Sequence, residues 1–81
     1  HFLRGQYALA VAAYSAQLAR QPNNLNAYHN RGAAYHQLHQ YDAALADYER
    51  VIAGDPARVK IYLDRAEVQA DRKAYDLALA D

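Results

Sequence analysis

Apolar side chains recur along the chain at spacings of three and four residues, which is the period of one buried face of an α-helix. The clearest stripe comprises Tyr7, Ala10, Val11, Tyr14 and Leu18. Similar runs predict helices over about residues 7–20, 25–38, 41–53 and 57–72, and a last helix that begins at residue 75. Residues 1–4 have the character of a helix end. The pattern therefore predicts an all-α chain of short helices.

Polar and turn-forming residues separate these predicted helices. Turns are expected at residues 5–6, 21–24, 39–40 and 73–74, and one of the two asparagines at positions 23 and 24 is suited to cap the following helix. Between the third and fourth helices, Gly54 is expected to supply a left-handed residue that ends a helix. Asp55 can cap, and Pro56 suits the first position of the next helix.

Residue types recur along the chain at a fixed offset of 34 positions. The matching sets include Tyr7, Tyr41 and Tyr75; Ala10, Ala44 and Ala78; Pro22 and Pro56; Tyr14 and Tyr48; Tyr28 and Tyr62; and Arg31 and Arg65. A period of this length is typical of stacked supersecondary units, and it suits a helix–turn–helix unit. The chain is therefore interpreted as a repeat protein.

Two features inside the helical pattern require a structural reason. Gly32 lies within a predicted helix, where glycine costs up to about 1 kcal/mol relative to alanine, so a neighbouring helix is expected to approach closely there. Arg31 and Arg65 stand on the buried side of their helices, and Asp47 and Asp81 follow them at one common spacing. Because a partly buried arginine needs a carboxylate, Asp47 is expected to lie against Arg31, Arg65 or both. The alternative is that Arg31 binds a ligand.

Composition narrows the classes of function. The 81 residues carry nine Lys and Arg against nine Asp and Glu, so the formal net charge is zero and the basic footprint of a nucleic-acid binder is missing. The sequence has no cysteine, which removes disulfides and thiolate metal sites. No apolar run approaches the roughly 20 residues of a membrane span, and no signal-peptide pattern is evident. A water-soluble chain is expected, and its compartment is left undetermined.

The order of large, small and turn-forming residues resembles that of the tetratricopeptide repeat family. The matching framework positions are Tyr28, Gly32, Tyr35, Ala44, Tyr48 and Pro56, and Tyr28 stands where that family often has tryptophan. The resemblance implies a right-handed superhelical solenoid of antiparallel helix pairs, with about 2.4 repeats here: a partial repeat over residues 1–24, a complete one over 25–58 and a partial one over 59–81. It also implies a fragment of a longer array, without catalytic activity or cofactors. The residues expected to have structural roles are Tyr28, Arg31, Gly32, Tyr35, Ala44, Asp47, Tyr48, Pro56, Tyr62 and Arg65.

The same resemblance implies that the first helices of successive repeats line a concave groove for a peptide or protein partner. Helical geometry places a polar stripe of each first helix on that side. Asn30 is the expected centre of the groove, because an amide can donate to and accept from a peptide backbone, and Leu63 is the expected apolar anchor. The acidic side chains favour a segment bearing lysine or arginine, and the simplest alternative is a merely solvated face. The candidate groove residues are His29, Asn30, Ala33, His36, Gln37, Lys60, Leu63, Asp64 and Glu67, with Asp71 beside them.

Two other binding functions remain open. One subclass of the family grips the carboxylate of chaperone tails, and Asn30 and Lys60 fall on two of its clamp positions. However, Asp64 stands where that clamp has a second cation. The other function is structural self-association through the end faces of the repeats, where Tyr7, Val11 and Leu18 at one end and Tyr75, Leu77 and Leu79 at the other are expected to expose apolar surface.

Catalysis and metal binding find little support in the sequence. His29 and His36 are seven residues apart, about 10.5 Å along a helix, which is too far for both to hold one ion. His36 and His39 could share a metal, but no third ligand is evident. No phosphate-binding loop, nucleophile motif or zinc signature occurs. The expectation is therefore a protein that binds proteins and is neither an enzyme nor a nucleic-acid or membrane-inserted protein.

Overall fold

The computed structural model describes residues 2–80 and contains four α-helices in sequence order. These are α1 (Phe2–Arg20), α2 (Leu25–Gln37), α3 (Tyr41–Gly54) and α4 (Val59–Ala80). Helix α2 packs between α1 and α3, while α4 packs mainly against α3 and touches α2 along one side. Since residues 2–80 contain no strand, the predicted all-α fold is confirmed, as are the positions of the second and third helices to within one residue. The right-handed superhelix stays a prediction.

The hydrophobic core lies between α3 and α4. Its fully buried members are Ala44, Tyr48 and Val51 of α3 and Ile61 and Val68 of α4, each at most 2% exposed. Burying a valine or isoleucine side chain stabilises a fold by about 1.5–3 kcal/mol, so this cluster contributes much of the stability of so small a chain. Partly buried side chains of α2 and α3 surround it, namely Tyr28, Tyr35, Tyr41, Leu45 and Ile52.

The turns before α2 and α4 repeat each other in detail. The backbone N–H of Asn24 donates to the carbonyl of Gln21, and that of Arg58 donates to Asp55, both at 3.1 Å. In each unit a tyrosine hydroxyl then donates to the carbonyl of the turn proline, at 3.2 Å from Tyr28 to Pro22 and at 2.8 Å from Tyr62 to Pro56. These bonds explain why tyrosine and proline recur together at the repeat period.

Helix α2 is capped as the sequence suggests. The side chain of Asn24 accepts a hydrogen bond from the backbone N–H of Ala27 at 3.1 Å, which satisfies one of the free donors at the start of the helix. The predicted asparagine cap is therefore confirmed, and Asn24 is the residue that provides it.

Two predicted turns do not occur. Gly5 and Gln6 lie inside α1, and Lys73 and Ala74 lie inside α4, which runs without a break to Ala80. Lysine and alanine are among the best helix formers, and a glycine in a helix costs only about 1 kcal/mol. A turn at these positions would therefore have to be stabilised by packing of the segment that follows it. Residues 71–80 are exposed throughout, so such packing is absent from the described part of α4.

The expected role of Gly54 is also wrong. Neither it nor any other glycine of the described chain has positive φ, and Gly54 is the last residue of α3. A Cβ atom at this position would lie 2.8 Å from the terminal carbons of Leu25, so a larger residue here would require the side chain of Leu25 to move. Pro56 lies in the turn and does not open the next helix, because α4 begins three residues later at Val59.

The close approach expected at Gly32 is present, but an aromatic ring makes it. A Cβ atom at Gly32 would lie 2.6 Å from Cε1 of Tyr48 and 3.3 Å from Cβ of Asp47. The ring of Tyr48 therefore occupies the volume that a side chain at residue 32 would need. This contact lets α2 and α3 pack closely.

The expected arginine–aspartate pair is confirmed between α2 and α3. Nε and Nη2 of Arg31 donate to the two carboxylate oxygens of Asp47, both at 2.8 Å, and Nη1 donates to Oγ of Ser15 at 3.0 Å. Hydrogen bonding to Asp47 raises the pKa of Arg31 more than burial lowers it. Arg65 does not contact Asp47 in this way and pairs with Glu49 at 3.1 Å. Its other expected partner, Asp81, lies outside the described residues.

The two expected apolar end faces differ in exposure. Tyr75, Leu77 and Leu79 of α4 are 47%, 59% and 69% exposed, as the sequence predicts. On α1, Leu18 is buried, and Tyr7 and Val11 are half-buried. The expectation of an open apolar face is therefore wrong for Leu18, because the helical stripe of α1 packs against α2.

The four helices lack the combination of length and apolar character that membrane-spanning helices have. Over residues 2–80, none combines enough length with enough hydrophobicity to cross a bilayer.

Candidate functional site

The first helices of the two successive helix pairs, α2 and α4, lie side by side and are joined by two histidine–aspartate contacts. Nε2 of His29 lies 2.6 Å from Oδ2 of Asp64, and Nε2 of His36 lies 2.6 Å from Oδ2 of Asp71. The two histidines are one heptad apart on α2, and so are the two aspartates on α4. The structure thus brings together four side chains of the predicted polar stripe as two cross-links between the helices.

Asp64 is held by two partners. Besides His29, the ammonium of Lys60 lies 3.0 and 3.3 Å from its two carboxylate oxygens. Burial alone raises the pKa of Asp64, but the hydrogen bonds and charges of His29 and Lys60 lower it by more, so the pKa lies below its ordinary value. This carboxylate is therefore ionised and engaged at neutral pH.

The floor beneath these pairs is aromatic and poorly hydrated. The ring of His29 meets that of Tyr48 edge-on, with centroids 5.8 Å apart. Burial, together with the charges of Asp64, Glu67 and Asp47, raises the pKa of Tyr48 to about 12. Polar contacts above such a floor are less screened than they would be in bulk water.

Three residues of the predicted stripe lie on the other side of α2, toward α1. Asn30, Ala33 and Gln37 line a cleft of about 360 Å³ with Tyr7, Ala10 and Tyr14 of α1. Within residues 2–80, the side chains of Asn30 and Gln37 make no hydrogen bond to another side chain. The predicted stripe is thus divided between two surfaces, one facing α4 and one facing α1.

The remaining predicted residues lie on the exposed part of α4. Lys60 is 74% exposed, Leu63 is 65% exposed and Glu67 is exposed as well. Leu63 belongs to an exposed apolar strip with Val59, which is 74% exposed. An exposed leucine among charged residues is available for contact with a partner.

An aromatic group beside the turn between α2 and α3 was not predicted from the sequence. The rings of His39, Tyr41 and Tyr75 lie within 5.7–6.4 Å of one another, and Nδ1 of His39 lies 2.8 Å from the hydroxyl of Tyr41. Arg72 and Asp42 form an ion pair at 3.0 Å in the same region. The regular spacing of Tyr41 and Tyr75 is visible in the sequence, but their contact depends on α4 continuing past residue 73.

His29 and His36 pair with carboxylates of the neighbouring helix α4. Over residues 2–80, no group of three or more histidine and carboxylate side chains is arranged to hold a metal ion. His29 and His36 each contact a single carboxylate, and His39 contacts a tyrosine. Such pairs can join helices and can donate to or accept from a bound segment at their exposed edges.

Residues 25–56 match the family model described as Tetratricopeptide repeat. The matched segment begins at the first residue of α2 and ends at Pro56, so it comprises α2, the turn after it, α3 and the first two residues of the turn before α4. No curated protein and no solved structure is significantly similar to the chain.

Proposed function

Since the chain belongs to the tetratricopeptide repeat family, whose members are protein-interaction modules, we propose that it is a non-catalytic scaffold that binds a peptide or protein segment. The proposed surface is the α2–α4 groove, defined by His29 and His36 of α2 and Lys60, Asp64 and Glu67 of α4. One observation carries the proposal: two cross-links at 2.6 Å hold the first helices of successive pairs side by side.

The cross-links favour binding because they pre-organise the groove. His29 and Asp64 are only 17% and 14% exposed, and each is fixed by a partner on the neighbouring helix. A ligand that meets fixed side chains avoids the cost of ordering them, about 0.5–1.5 kcal/mol for each immobilised side chain. The groove is therefore suited to an extended or helical segment that contacts both helices.

The exposed carboxylates of α4 favour a basic segment. Glu67 is exposed, and Asp71 remains 57% exposed although it contacts His36. Asp64 contributes less to this preference because His29 and Lys60 already engage it. We therefore expect a moderate preference for lysine or arginine in the ligand, and this preference should weaken as salt is raised.

A chaperone tail with a terminal carboxylate fits the groove less well. Lys60 stands on a clamp position, but its ammonium lies 3.0 Å from Asp64, on the same helix. Asn30, the other matching residue, lies on the side of α2 that faces α1. A carboxylate of the ligand would therefore be repelled by Asp64. Lys60, the nearest cation, already pairs with Asp64.

The proposal is tested by a screen of acidic and basic peptides against the chain. Glu67→Gln should weaken binding of basic peptides severalfold, because it removes an exposed groove carboxylate. Asp76→Asn is the matched control, since it removes an exposed carboxylate from the same helix outside the groove. Equal effects of the two changes on binding would contradict the proposal that the ligand lies in the groove.

A second set of variants separates the groove from the end face. Leu63→Ala should weaken binding if the exposed leucine anchors the ligand, and Asn30→Ala should do so if the ligand also reaches the α1 side of α2. If binding survives both changes but is lost on Tyr75→Asp, then the end of the repeat carries the function. That result would favour the structural, self-associating role.

A further inference from the structure

Each imidazole of the α2–α4 groove uses only one of its two ring nitrogens. Nε2 of His29 contacts Asp64 and Nε2 of His36 contacts Asp71, both at 2.6 Å. Among residues 2–80, Nδ1 of neither histidine has a hydrogen-bond partner, whereas every buried side-chain nitrogen and oxygen atom in that range has one. Both Nδ1 atoms are therefore accessible to solvent.

The carboxylate partners determine where a neutral imidazole carries its proton. An ionised carboxylate only accepts hydrogen bonds. Asp64 is ionised at neutral pH, since burial raises its pKa but the contacts with His29 and Lys60 lower it by more. Nε2 is therefore the donor to the carboxylate, and Nδ1 keeps its lone pair. At neutral pH the groove thus presents two hydrogen-bond acceptors on α2 in addition to the carboxylates of α4.

The spacing of the two acceptors suits a short extended segment. His29 and His36 are seven residues apart on α2, which is about 10.5 Å along the helix axis. In the polyproline II conformation, side chains three positions apart lie on one face and are separated by about 9.3 Å along the segment. Lysine or arginine side chains at such positions can donate to both Nδ1 atoms. Spacing and hydrogen-bonding character therefore both favour a basic segment.

A second proton on the imidazole reverses the role of the accessible nitrogen. Both ring nitrogens of a charged histidine are donors, and histidine is the side chain whose charge ordinarily changes between about pH 5 and about pH 8. A protonated Nδ1 cannot accept a hydrogen bond from lysine or arginine, and its charge repels theirs. The contact between Nε2 and the carboxylate meanwhile becomes charge-assisted and stronger. Acidification therefore changes the binding edge while the two helices stay joined.

The groups around His29 come from both neighbouring helices. On α4, the carboxylate of Asp64 attracts a second proton, and the ammonium of Lys60, which pairs with the same carboxylate, repels it. On α3, the ring of Tyr48 meets the imidazole edge-on. Burial, with the charges of nearby carboxylates, raises the pKa of Tyr48 to about 12, so this tyrosine stays neutral between pH 5 and pH 8.

The surroundings of His36 are simpler. Asp71 of α4 contacts its Nε2, and the ring of Tyr41 of α3 lies with its centroid 6.1 Å away. Burial and the charge of Asp71 raise the pKa of Tyr41, so it also stays neutral. Within residues 2–80, the charged group in hydrogen-bond contact with His36 is therefore an attracting carboxylate.

We propose that the α2–α4 groove binds a segment bearing lysine or arginine at neutral pH and releases it when His29 and His36 each gain a second proton. This inference rests on the proposed function and adds to it a means of regulation. The device belongs to this pair of helices, because Leu63 and Ala70 stand one repeat later in the register of the two histidines.

The protonation state of the two rings is tested first, without a ligand. Nitrogen chemical shifts of the imidazole rings, measured on the whole chain labelled with ¹⁵N, distinguish protonated from unprotonated ring nitrogens. At pH 8 we expect a proton on Nε2 and none on Nδ1 in both His29 and His36. On acidification to pH 5.5, Nδ1 should gain a proton. The opposite tautomer at pH 8 would overturn the inference.

Binding is then measured by calorimetry with the peptide acetyl-Ala-Arg-Ala-Ala-Arg-Ala-amide at constant ionic strength. Between pH 8 and pH 5.5 its affinity should fall about tenfold, because two hydrogen bonds to the chain are lost. A matched peptide with glutamate in place of both arginines should not lose affinity over the same range. Circular dichroism at both pH values establishes that the chain stays helical, so that release is not unfolding.

A double variant isolates the contribution of the two rings. His29→Gln combined with His36→Gln keeps an N–H donor for each aspartate but cannot gain a proton, so the change in affinity with pH should shrink to less than about twofold. His39→Asn is the matched control, since this histidine contacts Tyr41 outside the groove and asparagine tolerates its positive φ. The control should keep the tenfold change. If the double variant does not fold, the ring shifts and the two peptides decide the question on the unsubstituted chain.

The outcomes separate this inference from the function on which it rests. Equal affinity of the arginine peptide at both pH values would overturn the inference and leave the groove as the binding surface. An equal loss of affinity in the double variant would also overturn it, because other groups would then be responsible. Absence of binding at both pH values would contradict the proposed function itself, and the inference with it.

Discussion

The turn at residues 38–40 and the helical segment at residues 72–74 occupy the same place in the repeat register, but only the first reverses the chain. His39 has a φ of 62°, the one positive value among the described non-glycine residues. Lys73, one repeat later, is helical within α4. Gly5, one repeat earlier, is also helical, although glycine adopts positive φ most easily.

Local hydrogen bonds stabilise the turn once it has formed. The N–H of Gln40 donates to the carbonyl of Tyr35 at 2.9 Å, and the N–H of His39 donates to His36 at 3.0 Å. This is the Schellman arrangement, in which a left-handed residue follows the end of a helix. Histidine is less suited to that conformation than glycine, so local preference does not decide where the chain turns.

Packing after the turn makes the difference. Helix α3 follows the turn and buries Ala44, Tyr48 and Val51, which offsets the cost of about 1–2 kcal/mol for a left-handed residue. The segment after Lys73 has Tyr75 and Ala78 in the register of Tyr41 and Ala44, but no described helix covers it and it stays exposed. A turn in this chain therefore forms where the following helix has a surface to pack against.

The largest expected effect comes from removing the ion pair between Arg31 and Asp47, which joins α2 to α3. Asp47 is 6% exposed at its side chain and pairs with Arg31 in a bidentate arrangement. Asp47→Ala leaves a partly buried guanidinium unpaired, so the free energy of unfolding should fall by about 3 kcal/mol. Chemical denaturation measures it. Asp42→Ala is the control, since Asp42 is 86% exposed and its loss should lower the free energy of unfolding by at most about 1 kcal/mol. A larger loss from Asp42→Ala than from Asp47→Ala would contradict the stabilising role of the ion pair.

A second test compares two alanines in the same register. Ala44 is fully buried and Ala78 is exposed. Ala44→Leu should lower the free energy of unfolding by about 1–3 kcal/mol through overpacking, whereas Ala78→Leu should change it by less than about 0.5 kcal/mol. Thermal unfolding of both variants gives the comparison. Similar losses would mean that residues 75–80 are packed in solution.

A third test predicts opposite signs at two equivalent positions. His39→Gly relieves the left-handed conformation and should raise the free energy of unfolding by up to about 1 kcal/mol, reduced by loss of the contact between His39 and Tyr41. Lys73→Gly weakens a helix interior and should lower it by about 0.5–1 kcal/mol. If Lys73→Gly stabilises the chain instead, residue 73 forms a turn in solution.

The smallest expected effect concerns pH. The pKa of Asp64 is depressed in the folded chain, so its contribution to stability is present above its unfolded pKa and is lost as pH falls through the folded value. The difference in free energy of unfolding between the wild-type chain and Asp64→Asn should therefore shrink as pH falls below the unfolded pKa of about 3.9 and through the lower folded value. Asn30→Ala, in the same register on α2, is the control because an amide does not ionise. A difference that is constant with pH would contradict the pairing with His29 and Lys60.

The division of the polar stripe on α2 has the same kind of cause as the choice of turn. The predicted polar stripe of α2 was wide enough to include both His29 and Asn30, whose side chains, as those of adjacent residues, point about 100° apart around the helix. However, α4 packs beside His29 and α1 packs beside Asn30. Which neighbour a polar residue meets depends on where the flanking helices lie, and this is not visible in the spacing alone.

The all-α fold, the repeat unit, the asparagine cap before α2 and the pairing of Arg31 with Asp47 follow from the amino-acid sequence alone. They depend on helical periodicity, on local hydrogen bonding and on the cost of an unpaired charge, which act between residues at fixed spacings. Other features required the packed helices: His39 turns while Gly5 and Lys73 do not, Gly54 makes room for Leu25, and α2 has a polar contact surface on each side. Each of these depends on free energy gained by packing against another helix, and that gain exceeds or cancels the local preference of about 1 kcal/mol for a single residue.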